Sequence, residues 1–383
     1  METFTNSSKL PGTKTSIFSV MSKMAKDYNA INLSQGFPNF ETDQTLKNLV
    51  TEAMQEGYNQ YPPDIGVQSL REEISKKIGS LYGKIYDSEK EITITNGATQ
   101  ALYSAITAFV HRGDEVIVLK PAYDTYEPTI KQNGGIPVQI QLKGENYKVD
   151  WEEVRSAVTS STRMIIINTP HNPSGSIFSA EDMKELEKIL TGTNIILLSD
   201  EVYEHLVFDG KNHESVSKYP KLAERAIVCS SFGKTFHNTG WKTGYCVAPA
   251  QLMKEIRKIH EIVVFSVNHP MQVAYANYLK KPERYLELSK FYQNKRDLFL
   301  HLIKDSKFNY TPSNGTYYQL LNFSNITDEK DVDFAERLVK EKGLASIPVS
   351  VFNIDEKDNQ QLRFCFAKTD ETLERAAEIL CKL

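Results

Sequence analysis

The sequence lacks a strong charge of either sign, long apolar runs and clustered cysteines. Its 383 residues carry 45 Lys and Arg against 49 Asp and Glu, a formal net charge of -4. This balance provides no positive field to attract nucleic acid, so a nucleic-acid partner is not expected. No apolar run approaches the length that spans a bilayer, and residues 1–14 contain no apolar segment of the kind found in secretory signals. We therefore expect a cytoplasmic protein with no membrane partner.

The potential metal ligands are equally sparse. The sequence has 4 cysteines, at positions Cys229, Cys246, Cys365 and Cys381, and they are too far apart to form a CxxC pair. Its 8 histidines show no spacing typical of metal ligands. The sequence therefore predicts reduced thiols and no metal site.

What the sequence does contain is length and a repeated α/β pattern. A chain of 383 residues exceeds the size at which a single core stops growing, so two domains are expected. Between about residues 90 and 250, short β-branched runs end at turn residues, and amphipathic stretches usually follow. Such runs are typical of a mostly parallel sheet covered by helices on both faces. The predicted strands are Ile92 to Thr95, Glu115 to Leu119, Val138 to Leu142, Met164 to Asn168, Ile195 to Ser199, Ala226 to Cys229 and Gly244 to Val247.

The pattern changes after about residue 280. Long amphipathic helices are followed by hairpin-like strands, which is typical of a smaller α+β domain. The first 45 residues have too few apolar side chains to fold alone. We therefore expect a segment 1–45 that packs on the small domain or on a partner subunit, a large domain 46–280 and a small C-terminal domain 281–383.

One lysine stands on a tight turn directly after an apolar strand, in the run from Ser231 to Lys242. A partly desolvated lysine lowers its pKa readily, and its neutral amine can form a Schiff base with an aldehyde such as that of pyridoxal phosphate. The Gly-Lys-Thr triplet also suggests a phosphate-binding P-loop, but that motif requires a glycine where Val228 stands. Lys234 is therefore a candidate reactive amine.

Further candidates stand at the ends of other predicted strands, where open parallel sheets bind ligands. Asp200 follows a buried apolar run, and an unpaired carboxylate there would be costly. Either a helix N-cap or a protonated pyridine nitrogen would satisfy it. Tyr203 and Asn172 could reach the phenolic oxygen of the same ring, and Tyr123 could stack on the ring face. Each aromatic, taken singly, also fits ordinary packing.

Two regions are candidates for binding anionic groups. Residues 97–100 lie between a strand and a helix, whose first turn offers unpaired backbone N–H groups, although such loops are common. Ser231, Thr235 and Lys242 add two hydroxyls and a positive charge. Arg363, inside an apolar run, fits either a structural ion pair or a substrate carboxylate.

Taken together and in their order along the chain, these motifs resemble those of the class I, fold-type-I, pyridoxal-phosphate-dependent aminotransferases. Within that class they are most similar to the kynurenine and glutamine transaminase branch, and there to the bacterial methionine aminotransferase type. The resemblance covers essentially the whole chain through seven runs, Ile31 to Phe40, Asn59 to Tyr61, Asn168 to Gly175, Asp200 to His205, Ser230 to Pro249, Gly315 to Tyr318 and Ile347 to Phe352.

The resemblance implies pyridoxal 5'-phosphate as cofactor and a catalytic role for Lys234, Asp200 and Tyr203. Lys234 would bond to the cofactor and act as general base, Asp200 would pair with the ring nitrogen, Tyr203 and Asn172 would bind the ring oxygen, and Tyr123 would stack on the ring. The phosphate would be held by Ala98, Thr99, Gln100, Ser231 and Lys242.

The resemblance further implies a homodimer with shared active sites, in which Tyr61 reaches the phosphate bound by the neighbouring subunit. Arg363, Asn172 and the backbone at Gly36 would bind the substrate. Two departures from the wider class concern the phosphate, because Lys242 replaces a common arginine and Thr99-Gln100 replaces the more usual small or aromatic pairs.

The activity that the resemblance implies is a ping-pong transfer of an amino group from an L-amino acid to a 2-oxo acid. Methionine is favoured as donor, followed by aromatic amino acids and glutamine, since apolar residues surround the N-terminal motif and Tyr317. A β-lyase acting on cysteine S-conjugates or cystathionine would use the same lysine and stays an alternative. A non-catalytic ligand sensor would need a DNA-binding segment, and no basic helix-turn-helix region precedes residue 30.

Overall fold

The structure is a computed structural model that describes residues 7–383. Its strands are β1 (Ile31–Asn32), β2 (Ile92–Thr95), β3 (Glu115–Lys120), β4 (Ile136–Gln141), β5 (Thr162–Asn168), β6 (Ile196–Asp200), β7 (Ala226–Ser231), β8 (Gly244–Val247), β9 (Tyr318–Asn322), β10 (Leu344–Ala345), β11 (Ile347–Pro348) and β12 (Gln361–Cys365). Its helices are α1 (Ile17–Asp27), α2 (Gln44–Gln55), α3 (Gln68–Tyr82), α4 (Gly97–Phe109), α5 (Tyr126–Gln132), α6 (Trp151–Ala157), α7 (Ala180–Leu190), α8 (Pro220–Ala223), α9 (Phe232–Thr235), α10 (Ala250–Val263), α11 (His269–Leu279), α12 (Glu283–Leu286), α13 (Leu288–Leu302), α14 (Asp331–Lys342) and α15 (Asp370–Leu380).

A mostly parallel sheet forms the centre of the structure. Its seven strands lie in the order β2-β8-β7-β6-β5-β3-β4. Strand β8 alone runs in the opposite direction to the other six. Alternate residues of β5 enter different cores, since Ile165 and Ile167 pack in one buried cluster and Met164 and Ile166 in another. A strand with both faces buried is expected to carry a continuous apolar run, and β5 has one from Met164 to Ile167. The predicted α/β class with a mostly parallel sheet is confirmed.

The C-terminal part builds a second, antiparallel sheet in the order β11-β12-β9. The N-terminal segment joins this part of the chain, because β1 pairs in parallel with β10. The division into 1–45, 46–280 and 281–383 stays a prediction, and residues 1–6 of the first segment lie outside the described residues.

The sheet topology brings several strand ends to one edge. Strands β3, β5, β6 and β7 run in the same direction, so their carboxyl ends lie together. Because β8 is antiparallel to both β2 and β7, the carboxyl end of β2 and the start of β8 lie at this edge as well. Open parallel sheets bind their ligands at such an edge. Within residues 7–383 there is no helix that could cross a membrane and no cluster of potential metal ligands.

Candidate active site

A cavity of about 390 Å³ lies at this carboxyl edge. Its walls combine the strand ends with the segment that follows β1. Most of the predicted site residues line it, namely Gly36, Ala98, Thr99, Tyr123, Asn172, Asp200, Tyr203, Ser231, Lys234 and Lys242. The other three predicted residues, Gln100, Tyr61 and Arg363, are not part of its lining.

Lys234 lies in the short helix α9, which follows β7 at once. The turn is tight, because a methyl group on Gly233 would come within 2.9 Å of Thr239 Cα. The Lys234 amine donates a hydrogen bond to the carbonyl oxygen of Gly36 over 3.2 Å. Burial is the main reason that the pKa of this amine falls from 10.5 to about 8. A lysine in this state supplies a neutral, nucleophilic amine at moderately alkaline pH.

Asp200 ends β6 and is only 4% exposed. One carboxylate oxygen accepts a hydrogen bond from Tyr126 Oη over 2.6 Å, and the other accepts from the backbone N–H of Val202 over 3.3 Å. No lysine or arginine forms an ion pair with it within residues 7–383. Burial therefore raises the pKa of Asp200 to about 6. A cationic ligand group beside this carboxylate would restore its usual ionisation.

An anion site lies at the first turn of α4. Gly97 has φ +73°, which favours glycine, and a methyl group placed on it would lie 3.5 Å from Lys242 Nζ. The ammonium group of Lys242 therefore lies beside the free N–H groups at the start of a 13-residue helix. Ala98, Thr99 and Ser231 line the same cavity. Together these groups fit a phosphate dianion.

The side chain of Gln100 makes hydrogen bonds within α4 and to the residue before it, and does not line the cavity. Its Oε1 accepts a hydrogen bond from the backbone N–H of Asn96 over 3.0 Å, and its Nε2 donates to Ser104 Oγ over 2.8 Å. The Gln100 side chain thus provides a hydrogen-bond partner for the backbone N–H that precedes α4 and for a side chain one turn further along the helix. The predicted role of Gln100 in binding the phosphate stays a prediction.

Tyr61 is 81% exposed and contacts the ring of Phe265 edge-on, with 5.4 Å between centroids. It does not reach the cavity of its own chain. Its predicted role in a neighbouring subunit stays a prediction.

Arg363 lies on β12 behind the cavity and is 0% exposed. Its Nη1 donates to Asn172 Oδ1 over 2.7 Å and its Nη2 to the carbonyl oxygen of Ser34 over 2.8 Å, while its Nε has no partner within residues 7–383. The guanidinium carbon lies 3.9 Å from the centre of the Tyr318 ring. A buried cation held by neutral groups alone is suited to bind a carboxylate.

Sequence reasoning missed Tyr126 and Tyr318. Tyr318 lines the cavity, supports Arg363 and accepts a 3.3 Å hydrogen bond from Tyr203 Oη. The aromatic run Tyr317-Tyr318 and the spacing of Tyr126 from Tyr123 were visible in the sequence, but the partner of each hydroxyl depends on the tertiary structure. Phe18, Gln35 and Phe37 also line the cavity, which gives it a partly aromatic wall.

The residues present fit pyridoxal phosphate. One cavity contains the buried amine of Lys234, which suits the aldehyde, and the buried carboxylate of Asp200, which forms no ion pair in the described part of the chain and suits the ring nitrogen. It also contains the N-terminus of α4 beside a lysine, which suits the phosphate. The unpartnered Arg363 Nε lies behind the same cavity.

Comparisons with known proteins agree with this chemistry. The sequence matches the family described as aminotransferase class I and II over residues 28–380. It is 46% identical over 377 residues to the methionine aminotransferase of Escherichia coli strain K12, covering 98% of each chain. It is 35% identical to the kynurenine-oxoglutarate transaminase of Dictyostelium discoideum, covering 96% of this chain and 94% of the relative.

Solved structures agree in the same way. An Escherichia coli protein with an identified methionine aminotransferase function superposes with a TM-score of 0.97 at 46% identity, covering 99% of this chain and 100% of the other. The N-succinyldiaminopimelate aminotransferase of Mycobacterium tuberculosis superposes with a TM-score of 0.95 at 34% identity and the same coverage.

Proposed function

Because this chain belongs to the class I and II aminotransferases, we propose that it binds pyridoxal phosphate around Lys234 and transfers the amino group of methionine to a 2-oxo acid. The family relationship establishes a transaminase of fold type I. The cofactor, the role of each residue and the preferred donor belong to the proposal.

One observation carries the proposal, namely that the Lys234 amine, the Asp200 carboxylate and the phosphate-type cradle of α4 line the same cavity. Pyridoxal phosphate supplies an aldehyde that bonds to amines and a ring that stabilises negative charge on the substrate Cα. Few other ligands combine an aldehyde, a basic ring nitrogen and a phosphate.

The ring and phosphate are assigned to residues of the cavity walls. Asp200 holds a proton on the ring nitrogen, Tyr203 and Asn172 donate hydrogen bonds to the ring oxygen, and Tyr123 covers the ring face. The phosphate is held by Ala98, Thr99, Gln100, Ser231 and Lys242, and the Gln100 side chain also supports the turn that carries these residues.

Lys234 is the proposed general base, which removes the proton from the substrate Cα. With the substrate held in the cavity, the neutral Nζ would take this proton. The lowered pKa of this amine supports such a role. Arg363, together with Asn172 and the backbone of Gly36, binds the substrate α-carboxylate. This contact orients the substrate so that its Cα faces Lys234.

Methionine is proposed as donor for two reasons. The cavity wall beyond the cofactor site contains Phe18, Phe37 and Tyr318, which suit an uncharged side chain. Lys234 and Lys242 are the only lysine or arginine residues in its described lining, and both are assigned to the cofactor. The distal carboxylate of aspartate would therefore lack a cation, whereas aromatic donors and glutamine remain compatible.

The proposal also includes a homodimer, in which the exposed Tyr61 of each subunit reaches its neighbour's phosphate, and the three-part division of the chain at residues 45 and 280. A cytoplasmic location is supported by the cysteines, which form no disulfide within residues 7–383.

A panel of amino donors, assayed with several 2-oxo acids, tests the proposal. Methionine is expected to give the highest kcat/KM, and Lys234→Ala to abolish multiple turnover in the absence of added amines. Pyruvate and thiol release from a cysteine S-conjugate, measured in parallel, separates the alternative β-lyase. A strong preference for aspartate would contradict the donor assignment, and sustained turnover by Lys234→Ala would contradict the role of the lysine.

A further inference from the structure

Tyr126 is the one side chain that hydrogen bonds to the Asp200 carboxylate within residues 7–383. It begins α5, is 2% exposed, and donates from Oη to Asp200 Oδ2 over 2.6 Å. It does not line the cavity. Its bond therefore reaches the carboxylate from behind, while Asp200 itself lines the cavity.

This bond favours the ionised form of Asp200. A hydroxyl that donates to a carboxylate stabilises the charge, and the effect is strong where water is excluded. Burial opposes ionisation at Asp200, and the hydrogen bond from Tyr126 is the largest influence that lowers the pKa of the carboxyl. Burial also raises the pKa of Tyr126 well above its usual value, so Tyr126 keeps its proton and stays a donor.

The location of Tyr126 also connects it to the ring-stacking position. Its ring contacts that of Tyr123 edge-on, with 5.8 Å between centroids. Tyr123 lines the cavity, so one short segment carries both the residue on the ring face and the residue behind the carboxylate.

We propose that Tyr126 is a positioning residue that holds Asp200 as an oriented carboxylate, and thereby sets how strongly the apoprotein prefers a cofactor with a protonated ring nitrogen. The inference rests on the proposed binding of pyridoxal phosphate. A purely structural role, in which Tyr126 merely ties α5 to β6, would weaken the binding of every cofactor analogue equally.

The test compares the affinity of the apoprotein for pyridoxal 5'-phosphate with its affinity for 1-deazapyridoxal 5'-phosphate, which carries C–H in place of the ring nitrogen. Tyr126→Phe removes only the hydroxyl. The variant is expected to bind pyridoxal phosphate about tenfold more weakly, which corresponds to the loss of one charge-assisted hydrogen bond. Its affinity for the deaza analogue is expected to change by less than about twofold. An equal loss for both ligands would overturn the proposal, as would unchanged affinity for both.

Tyr245→Phe is a matched control. Like Tyr126, Tyr245 is 2% exposed, lies outside the cavity lining and donates to a buried carboxylate, Glu204 Oε1, over 3.0 Å. Unlike Asp200, Glu204 does not line the cavity. This variant is expected to change both affinities by the same factor. A selective loss for pyridoxal phosphate in Tyr245→Phe would show that any buried hydroxyl has this effect, which would overturn the assignment to Tyr126.

Asp200→Asn provides a second test that does not depend on Tyr126→Phe alone. If Tyr126 acts through the charge of Asp200, adding Tyr126→Phe to Asp200→Asn will change the affinity for pyridoxal phosphate by less than about twofold. An undiminished tenfold effect in the double variant would contradict the proposal. Failure of the wild-type apoprotein to bind pyridoxal phosphate would instead contradict the proposed function.

Discussion

Arg363 Nη1 donates a hydrogen bond to Asn172 Oδ1 over 2.7 Å, although 191 residues separate the two in the chain. Arg363 lies on β12 of the antiparallel sheet, and Asn172 follows β5 at the carboxyl edge of the parallel sheet. The bond therefore joins the two sheets beside the cavity. Because no carboxylate of residues 7–383 neutralises this arginine, its charge is available to a ligand.

Replacing Arg363 by methionine is expected to reduce activity without weakening the fold. Loss of a buried charge pair with the substrate carboxylate should lower kcat/KM about 100-fold or more. The midpoint of thermal unfolding of the apoprotein should not fall, because a desolvated cation without an acidic partner is removed. Steady-state kinetics and calorimetry check the two parts. Arg363→Lys is the control, since it keeps the charge but loses the planar fork, and it should retain intermediate activity.

Capture of the cofactor is expected to accelerate as the pH rises towards 8. Burial lowers the pKa of Lys234 to about 8, and only the neutral amine attacks an aldehyde. The rate of pyridoxal phosphate capture by the apoprotein should rise on the order of tenfold per pH unit below 8 and level off above it. Absorbance changes after rapid mixing measure this rate. A blocked lysine amide, with a pKa of about 10.4, is the control whose rate keeps rising beyond pH 9. The same continued rise in the protein would contradict the prediction.

Gly36→Ala is expected to damage the substrate site. A methyl group on Gly36 would overlap the hydroxyl of Tyr318 and come within 2.8 Å of its Cζ. Tyr318 is 3% exposed and supports Arg363, so it cannot move freely. We expect a loss of about 1–3 kcal/mol in the free energy of unfolding and a raised KM for the amino donor.

Gly240→Ala is the matched control for this substitution. No atom lies within 4 Å of a methyl group at Gly240, so the variant should behave as wild type. Tyr318→Phe added to Gly36→Ala removes the closest atom and should recover part of the stability. An unchanged KM in Gly36→Ala would contradict the predicted displacement of Tyr318.

Glu204→Gln is expected to destabilise the protein strongly. Glu204 is buried and pairs with Lys77 Nζ over 2.6 Å, while Ser230 Oγ and Tyr82 Oη donate to its carboxylate. Breaking a buried ion pair leaves the Lys77 ammonium without its partner and should cost about 3–5 kcal/mol. Denaturant unfolding of the apoprotein measures this loss. Glu336→Gln breaks the partly exposed pair with Lys340 and should stay close to wild type. Equal effects of the two substitutions would contradict the prediction.

The sequence predicted the parallel sheet because buried strands leave an unmistakable apolar pattern, as in β5. It also placed Asp200 and Lys234 correctly at strand ends. It could not predict that Gln100 turns back to Asn96, because both cavity-facing and turn-supporting orientations suit a glutamine in the first turn of a helix. The partner of Tyr126 was equally hidden, since 74 residues separate it from Asp200.

The pairing of β1 with β10 has a consequence for biosynthesis. Ile31 N–H donates to Gly343 O, Cys365 N–H donates to Leu33 O, and Lys368 Nζ donates to Phe37 O. A ribosome makes the segment that carries Gly36 early, yet its partners emerge only after some 300 further residues. At usual elongation rates this delay is on the order of tens of seconds. The segment that carries Gly36 therefore cannot make these contacts until residues 343–368 have left the ribosome, and a growing chain lacks this wall of the cavity until then.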